Sequence, residues 1–421
     1  MALIGRIPRR CVNLPPGTLG RFVTCLRRGE VEEGPAVEAF HKAFGQWLGV
    51  SHVFGAFTGR SAFQLALEAL DLERGAEIIF PNFTFPVMPM VAKGLGYRPV
   101  FCEVDPETFN AGPGQMELKI TDRTRAIVAT HLFGQPCPIQ EIVDLARKRQ
   151  IRVLEDCAHA CGVRVDRKQV GTFGDIGIFS FAEGKNMPCF GGGAIATADE
   201  EVARRAVAIL SKAAAPPKGE MTPKALSIIA KWWLTRPFIF GLTAYQVLRL
   251  KLWLGQPLMD SAVGDELLDA FSGSNPRVVR LSNLQASIGL LHLKTIDRFN
   301  EGARRNAQIL TLEIDESPGV RAPHSPKANH IYVYYPLVVE GGKRDELRRY
   351  LLRHGIDSKT TDMSECSKLR TFRETGTFKD KPEQPMETSI LEICVYPVIP
   401  EESIHGLARA IRTWAQEENH G

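Results

Sequence analysis

The chain has 421 residues, of which 44% are hydrophobic, so it is long enough to form a large domain and a smaller one around sizeable cores. Its net charge is only +4 and its sequence has no nucleic-acid-binding signature, so we expect no nucleic-acid partner. Residues 1–10 lack the apolar run of a secretory signal, and the nine cysteines are an odd number. We therefore expect a cytoplasmic protein with reduced thiols.

The first recognisable unit is a strand, a turn and a helix over residues 53–70. A short apolar run at 53–56 leads into Phe57-Thr58-Gly59-Arg60-Ser61-Ala62, and residues 63–70 form an amphipathic helical pattern. A glycine-containing turn at a helix start presents free backbone N–H groups and the positive end of the helix dipole, which favour an anion. The side chains of Thr58, Arg60 and Ser61 offer further donors, although Thr58 also suits a plain helix cap.

Four further apolar runs predict the core of a sheet, at 126–129, 151–154, 176–181 and 194–197. They are too continuous for a half-exposed sheet, so we expect a largely parallel sheet covered on both faces. The helical stripe at 139–148 supplies a crossover between two of these strands. Ligands in such sheets bind at the carboxyl ends of the strands, where Asp156, Ser180 and Lys185 fall.

Lys185 and Asp156 are the two residue types that pyridoxal phosphate chemistry requires. The cofactor needs an amine to hold its aldehyde as a Schiff base and an anion to keep its ring nitrogen protonated. Each residue stands at the end of an apolar run, and Lys185 precedes a Gly191-Gly192-Gly193 turn. The alternative is a lysine on a solvated loop, as for most of the 52 basic residues. The strand context favours the cofactor site.

A metal site is the weaker interpretation of the segment after Asp156. Cys157 and Cys161 flank His159, but metal-binding cysteines usually recur in a second pair and none lies nearby. We therefore predict no metal, and we expect the two cysteines to be small buried residues beneath the cofactor.

Residues 212–275 are predicted to form a hydrophobic helical insertion. Its middle, 224–255, combines three tryptophans and many aliphatic residues with interspersed lysines and arginines. Charges and Pro237 interrupt it too often for a membrane span. In one interpretation two amphipathic helices make peripheral contact with a membrane, at the inner membrane surface. In the other, which we favour, they pack over the active site or a partner subunit.

The remainder of the chain predicts a small α+β domain. We place the boundary so that residues 1–280 form the N-terminal arm and large domain and residues 281–421 the small one. The predicted elements are one long helix over 284–312, a strand at 331–339, a helix at 344–354, a strand at 391–395 and a terminal helix at 402–416.

Seven motifs in order resemble the DegT/DnrJ/EryC1/StrS aminotransferases, which transfer an amino group to keto sugars carried on nucleotides. The resemblance runs over nearly the whole chain. The motifs are Arg28-Gly29-Glu30 with the following Gly34-Pro35, Phe57-Thr58-Gly59-Arg60-Ser61-Ala62, Pro81-Asn82-Phe83-Thr84-Phe85, Val104-Asp105-Pro106-Glu107-Thr108-Phe109, His131-Leu132-Phe133-Gly134-Gln135-Pro136, Glu155-Asp156-Cys157-Ala158-His159-Ala160, and Phe179-Ser180-Phe181 through Lys185.

This resemblance implies the fold-type I architecture of pyridoxal phosphate enzymes, which is α/β. The large domain then has a mainly parallel, seven-stranded sheet flanked by helices, and the small C-terminal domain is α+β. The resemblance also implies a homodimer. The implied reaction moves an amino group from an amino acid, glutamate in the family, to a keto sugar linked to a nucleotide.

The resemblance also implies roles for individual residues. Lys185 is the catalytic lysine that holds the cofactor and carries the proton, and Asp156 pairs with the ring nitrogen. Thr58, Gly59, Arg60 and Ser180 are also implied to bind the cofactor, the last three of them at its phosphate. Phe85 is implied to lie against one face of the ring, and His159 to contact the phenolic oxygen or the ring. Arg280 and His330 are implied contacts to the substrate or the partner subunit.

Two departures from the family keep alternatives open. Arg60 stands where the family turn usually has a small hydroxyl residue, and Val278 stands where an asparagine usually reaches the neighbouring subunit's phosphate. A noncatalytic regulator with the same fold is one alternative. The other is a membrane-associated aminotransferase that acts on a lipid-linked acceptor, which the insertion favours.

Overall fold

The computed structural model describes residues 6–258, 268, 277–323, 330–373 and 385–419. The strands in these ranges are β1 (His52–Ala56), β2 (Glu77–Pro81), β3 (Phe83–Thr84), β4 (Arg98–Cys102), β5 (Thr124–Thr130), β6 (Arg152–Asp156), β7 (Arg164–Val165), β8 (Lys168–Gln169), β9 (Ile176–Ser180), β10 (Gly193–Thr197), β11 (Val320–Arg321), β12 (Tyr335–Val339), β13 (Lys359–Thr360), β14 (Ser364–Glu365) and β15 (Ile390–Ile393).

The helices surround these strands. They are α1 (Thr18–Arg28), α2 (Ala36–Leu48), α3 (Gly59–Leu70), α4 (Val87–Gly94), α5 (Pro113–Glu117), α6 (Ile139–Arg149), α7 (Glu200–Lys212), α8 (Met221–Leu234), α9 (Pro237–Leu242), α10 (Ala244–Trp253), α11 (Asn283–His292), α12 (Ile296–Ile314), α13 (Arg344–Arg353) and α14 (Glu401–Asn419).

Seven strands form the central sheet, in the spatial order β1-β10-β9-β6-β5-β2-β4. From β9 to β4 the neighbours are parallel, whereas β10 is antiparallel to both β9 and β1. The prediction of a seven-stranded, mainly parallel sheet is confirmed. The carboxyl ends of β5, β6 and β9 consequently meet at one edge of the sheet.

Helices cover both faces of the sheet. On one face, Leu65 of α3 and Val202 of α7 belong to the same buried cluster as Ile78 of β2. On the other face, Ile142 of α6 is buried with Ile127 of β5. Apolar residues on both sides of each strand explain why the strands are continuous apolar runs in the sequence.

The second sheet lies in the C-terminal part of the chain, with the strand order β11-β12-β15-β13. It shares a buried core with α12, α13 and α14, including Leu310, Leu337 and Ile411. This sheet and its helices confirm the expected α+β arrangement. The boundary at 280/281 stays a prediction, since α11 packs with α2 through Ile288 and Phe40 in the core of the large sheet.

Two of the predicted elements in this region were wrong in extent. The single helix over 284–312 is two helices, because the chain turns at 293–295, where the Thr295 N–H bonds to the His292 carbonyl at 2.9 Å. The predicted strand at 331–339 begins only at Tyr335, because Tyr332 adopts a φ of 48° that a strand cannot contain.

The predicted insertion forms three helices in the described residues, α8, α9 and α10, rather than the expected two. Pro237 is the first residue of α9, where its fixed φ and missing N–H are compatible with a helix start. Residues 259–267 and 269–275 of the prediction lie outside the described residues. Nowhere in the described part of the chain is a helix long and apolar enough to cross a membrane.

Candidate active site

A cavity of about 640 Å³ opens at the carboxyl ends of the central strands. β5 ends there at Thr130, β6 at Asp156 and β9 at Ser180, and α3 begins there at Gly59. Lys185 lines the same cavity from the loop after β9. The structure therefore brings together the amine, the carboxylate and the helix start that lie far apart in the sequence.

The loop that carries Lys185 turns back toward β10 through glycines. Gly191 has a φ of 100°, in the left-handed region that glycine adopts without strain. The Lys185 N–H bonds to the Ala182 carbonyl at 3.0 Å. Burial lowers the pKa of Lys185 from 10.5 to about 8, although the charge of Asp156 opposes that shift. A much larger share of this amine is therefore neutral than for an exposed lysine.

Asp156 is buried, with 6% of its surface exposed. Its Oδ1 accepts a hydrogen bond of 3.0 Å from the Ala158 N–H. Burial raises the pKa of Asp156, whereas the Ala158 N–H and the positive charge of Lys185 lower it. A cation bound beside this carboxylate would favour its ionised form.

The preceding residue, Glu155, points away from the cavity and anchors the end of β6. Its two oxygens accept backbone N–H groups of Gly171, Phe173 and Gly174 at 2.6–2.7 Å. His131 lies 3.3 Å from Glu155 and, with Cys157, completes a group of three metal-type ligands among the described residues. Because the backbone already saturates Glu155, this cluster is a buried hydrogen-bond network, and we place no metal there.

His159 and Phe85 both line the cavity, as predicted. The His159 Nδ1 accepts the Phe133 N–H at 3.2 Å, so the proton of the neutral ring is on Nε2. Burial lowers the pKa of His159 well below its ordinary value, and the nearby cation of Lys185 lowers it further. The imidazole is therefore a neutral hydrogen-bond donor.

The start of α3 forms the opposite end of the cavity. Gly59 lies so close to Ser180 that a Cβ on it would be 2.9 Å from the Ser180 Oγ. The hydroxyl of Thr58 accepts the Ser61 N–H at 3.1 Å, so its side chain is a helix cap as well as a lining residue. Arg60 lines the cavity too, and burial lowers its pKa. A helix N-terminus beside an arginine favours a phosphate here.

These residues fit pyridoxal phosphate. The amine of Lys185 and the carboxylate of Asp156 interact electrostatically and face one cavity, as the two ends of the cofactor ring require. Gly59, the first residue of α3, has no side chain and lines the cavity, so a phosphate is able to approach the start of this helix. All the predicted cofactor-binding residues line this cavity, and their individual roles stay predictions.

Sequence reasoning missed several lining residues that come from distant parts of the chain. Arg10 belongs to the N-terminal arm, and its Nη2 lies 3.9 Å from Asp362. The Tyr334 hydroxyl donates to the Gly184 carbonyl at 2.9 Å and thereby holds the loop of Lys185. One side of the insertion helix α8 contributes Lys224, Ser227, Ile228 and Lys231; the favoured interpretation expected the insertion over the active site but named none of these as lining residues. No local motif marks any of these residues.

Arg280 and His330 do not line this cavity. Arg280 is exposed and its Nη2 pairs with Glu33 at 3.1 Å. His330 is buried behind the cavity wall, where its Nε2 donates to the Phe133 carbonyl at 3.2 Å. Their predicted contacts to a substrate or a partner subunit therefore stay predictions.

Comparisons with known proteins show the family of this chain. The family model of the DegT/DnrJ/EryC1/StrS aminotransferases matches residues 17–226 and 260–412. A UDP-N-acetyl-3-dehydro-alpha-D-glucosamine 3-aminotransferase from Acidithiobacillus ferrooxidans is 27% identical over 370 residues, 86% of this chain and 84% of the relative. Residues 227–259, within the predicted insertion, lie outside the matched ranges.

Solved structures share the fold. An aminotransferase from Psychrobacter cryohalolentis superposes with a TM-score of 0.76 at 23% identity, covering 97% of this chain and 100% of that chain. NtdA from Bacillus subtilis, whose structure contains the bound cofactor PMP, superposes with a TM-score of 0.70 at 21% identity and covers 94% and 81% of the two chains.

Proposed function

Because this chain belongs to the DegT/DnrJ/EryC1/StrS aminotransferase family and is a pyridoxal phosphate-dependent aminotransferase, we propose that it moves an amino group from glutamate to a keto sugar linked to a nucleotide. The observation that carries the proposal is the single cavity that Lys185, Asp156 and the start of α3 share. The name of the Acidithiobacillus relative, a UDP-sugar aminotransferase, supports the class of acceptor.

Lys185 is the group that we assign to cofactor attachment and proton transfer. Pyridoxal phosphate, when bound, supplies the aldehyde that accepts the amino group and an electron-withdrawing ring that acidifies the donor's Cα–H. With a pKa lowered to about 8, the Lys185 amine is able to take up that proton and return it near neutral pH. One residue then serves both halves of the reaction.

Asp156 and His159 would act on two different polar atoms of the bound cofactor ring, the ring nitrogen and the phenolic oxygen. As an anion, Asp156 would stabilise the protonated ring nitrogen of the bound cofactor, and that cation would in turn keep this buried carboxylate ionised. The neutral His159, with its proton on Nε2, is suited to donate a hydrogen bond to the phenolic oxygen. Phe85 offers an aromatic face to the cationic ring.

The charge of the cavity lining favours anionic substrates. Its cations are Arg10, Arg60, Lys185, Lys224 and Lys231, and its carboxylates are Asp156, Glu183 and Asp362. This excess of positive charge suits the cofactor phosphate, the two carboxylates of glutamate and the diphosphate of a nucleotide sugar. A neutral amino donor or a neutral sugar would gain less electrostatic attraction from this lining.

The proposal includes a homodimer, as the family resemblance implies. Leu19, Val23 and Leu26 of α1 are exposed at helical spacing, a stripe suited to contact between two copies. Light scattering is expected to give twice the monomer mass, and Val23→Lys to lower it. A monomer at working concentration would contradict this part of the proposal.

Isotope transfer tests the reaction. The enzyme is incubated with ¹⁵N-glutamate and a series of keto sugars linked to nucleotides, and the sugar product is analysed by mass spectrometry. We expect ¹⁵N in at least one sugar, loss of transfer in Lys185→Ala, and normal transfer in Lys148→Ala, since Lys148 is exposed on α6. Transfer that survives in Lys185→Ala would refute the assignment, and label in no nucleotide sugar would refute the acceptor class.

A further inference from the structure

The insertion helices α8–α10 have an unusual charge pattern. Between Met221 and Leu258 the sequence has five lysines and arginines but not one aspartate or glutamate. The whole chain has 48 acidic residues in 421, so about four would be expected in a segment of this length. Lys224 and Lys231 face the cavity, which leaves Arg236, Arg249 and Lys251 for other contacts.

The same helices expose most of the large apolar side chains that the described residues leave in contact with solvent. Nine of the fifteen such side chains lie between Leu226 and Leu254. They are Leu226 (53% exposed), Trp233 (51%), Leu234 (46%), Phe238 (62%), Leu242 (48%), Val247 (56%), Leu250 (54%), Trp253 (80%) and Leu254 (54%). Large apolar side chains exposed in such number within one short segment mark a candidate interaction site. We call these nine residues the apolar face.

The helices are attached firmly to the body of the enzyme, so the apolar face is held in place. Met221 and Ala225 of α8 are fully buried, and Lys231 pairs with Glu183 at 2.7 Å. At the other end, the buried Tyr245 of α10 lies 4.5 Å below the guanidinium of Arg6. One side of α8 lines the active-site cavity while its other side belongs to the apolar face.

Cations accompany the apolar face on α10. Val247, Leu250 and Leu254 follow helical spacing and form an exposed stripe. By the same spacing, Lys251 borders this stripe, and the exposed Arg249 lies one helical turn from the exposed Trp253. Exposed tryptophan, aliphatic residues and flanking cations without any acid are the combination found where helices lie in a membrane interface.

We propose that the apolar face of α8–α10 docks on an anionic lipid bilayer, with the helices lying in the headgroup region. The absence of acidic residues favours this occupant over a second copy of the chain, because a protein interface gains nothing from excluding carboxylates whereas an anionic surface repels them. Since α8 also lines the cavity, docking brings the active site to the membrane surface. The inference does not depend on which acceptor the enzyme uses.

Vesicle flotation of the full-length enzyme tests this proposal. Vesicles of phosphatidylcholine alone are compared with vesicles that also contain phosphatidylglycerol, at low and high salt. We expect the enzyme to float with the anionic vesicles and to be released by salt. Reversing two cations, in Arg249→Glu with Lys251→Glu, should lower partitioning at least about 25-fold, because each cation near the surface contributes about fivefold.

Matched double variants separate the apolar face from general surface effects. Phe238→Ser with Trp253→Ser should lower partitioning by at least about tenfold. Leu118→Ser with Leu312→Ser, at positions 84% and 81% exposed elsewhere, should leave it unchanged. Arg147→Glu with Lys148→Glu, on the exposed side of α6, is the control for charge.

Three outcomes would overturn the proposal. The first is failure of the enzyme to float with anionic vesicles. The second is an equal loss of flotation in the control pairs. The third is a Phe238/Trp253 double variant that dissociates into monomers by light scattering, which would show that a second copy covers the face. Transaminase activity of the same variants, measured without lipid, should stay normal because none of these residues lines the cavity.

Discussion

The pKa of Lys185 leads to a quantitative prediction for the rate at which the apoenzyme takes up its cofactor. Only a neutral amine attacks the cofactor aldehyde. With a pKa lowered by burial from 10.5 to about 8, about a quarter of the Lys185 amines are neutral at about pH 7.5. An unshifted lysine would be about 0.1% neutral at that pH, so burial makes the amine more than a hundredfold more available.

The assay mixes apoenzyme with pyridoxal phosphate and follows the change in cofactor absorbance between about pH 6 and pH 10. The rate should rise about tenfold for each pH unit below about 8 and then level off. Lys148→Ala should give the same profile, because that lysine is exposed and outside the cavity. A rate that still climbs tenfold between about pH 9 and pH 10 would refute the lowered pKa.

Two charged neighbours of Lys185 allow the direction of their effects on its pKa to be tested. The charge of Asp156 raises the pKa of Lys185, so Asp156→Asn should move the plateau to lower pH. The charge of Arg10 lowers that pKa, so Arg10→Gln should move the plateau to higher pH. Displacement of both variants in the same direction would show that electrostatics do not control this amine.

Substitutions at three further positions test the site and the core. Gly59→Ala should raise the cofactor dissociation constant about tenfold, because the added Cβ would lie 2.9 Å from the Ser180 Oγ. An unchanged dissociation constant in a fluorescence titration would contradict this steric clash. His159→Gln should keep most of the activity because an amide has both a donor and an acceptor, whereas His159→Leu should lose at least about tenfold in kcat; equal rates would argue against a hydrogen bond to the cofactor. Phe44→Ala should lower the free energy of unfolding by about 3–5 kcal/mol, because this fully buried ring packs on four aromatic neighbours. Denaturant titration measures this loss, and Leu118→Ala at an exposed position is the control.

The central sheet, and the position of Asp156 and Ser180 at one edge of it, could be predicted because their signals are local. Each buried strand is a continuous apolar run, and Asp156 and Ser180 are the last residues of two such strands. The parallel order of the strands then brings their ends together. The prediction succeeded wherever the chemistry of a short segment dictated its burial.

The contributions from distant segments could not be predicted. Arg10 reaches the cavity only because the N-terminal arm lies along the small domain, where Arg9 pairs with Asp357 at 2.7 Å. Pairings between segments this far apart leave no periodic pattern in either segment. The break between α11 and α12 was missed for a related reason, since apolar residues continue on both sides of the turn at 293–295. The hydrogen bond that closes this turn joins two backbone groups, so no side chain marks it in the sequence.

Chemical trapping of the cofactor tests the central claim most directly. The holoenzyme is reduced with borohydride, digested and analysed by mass spectrometry to find the lysine that carries the pyridoxyl group. We predict the modification on Lys185, and its loss in Lys185→Ala. A pyridoxyl group on any other lysine of the native enzyme would contradict the assignment of this cavity.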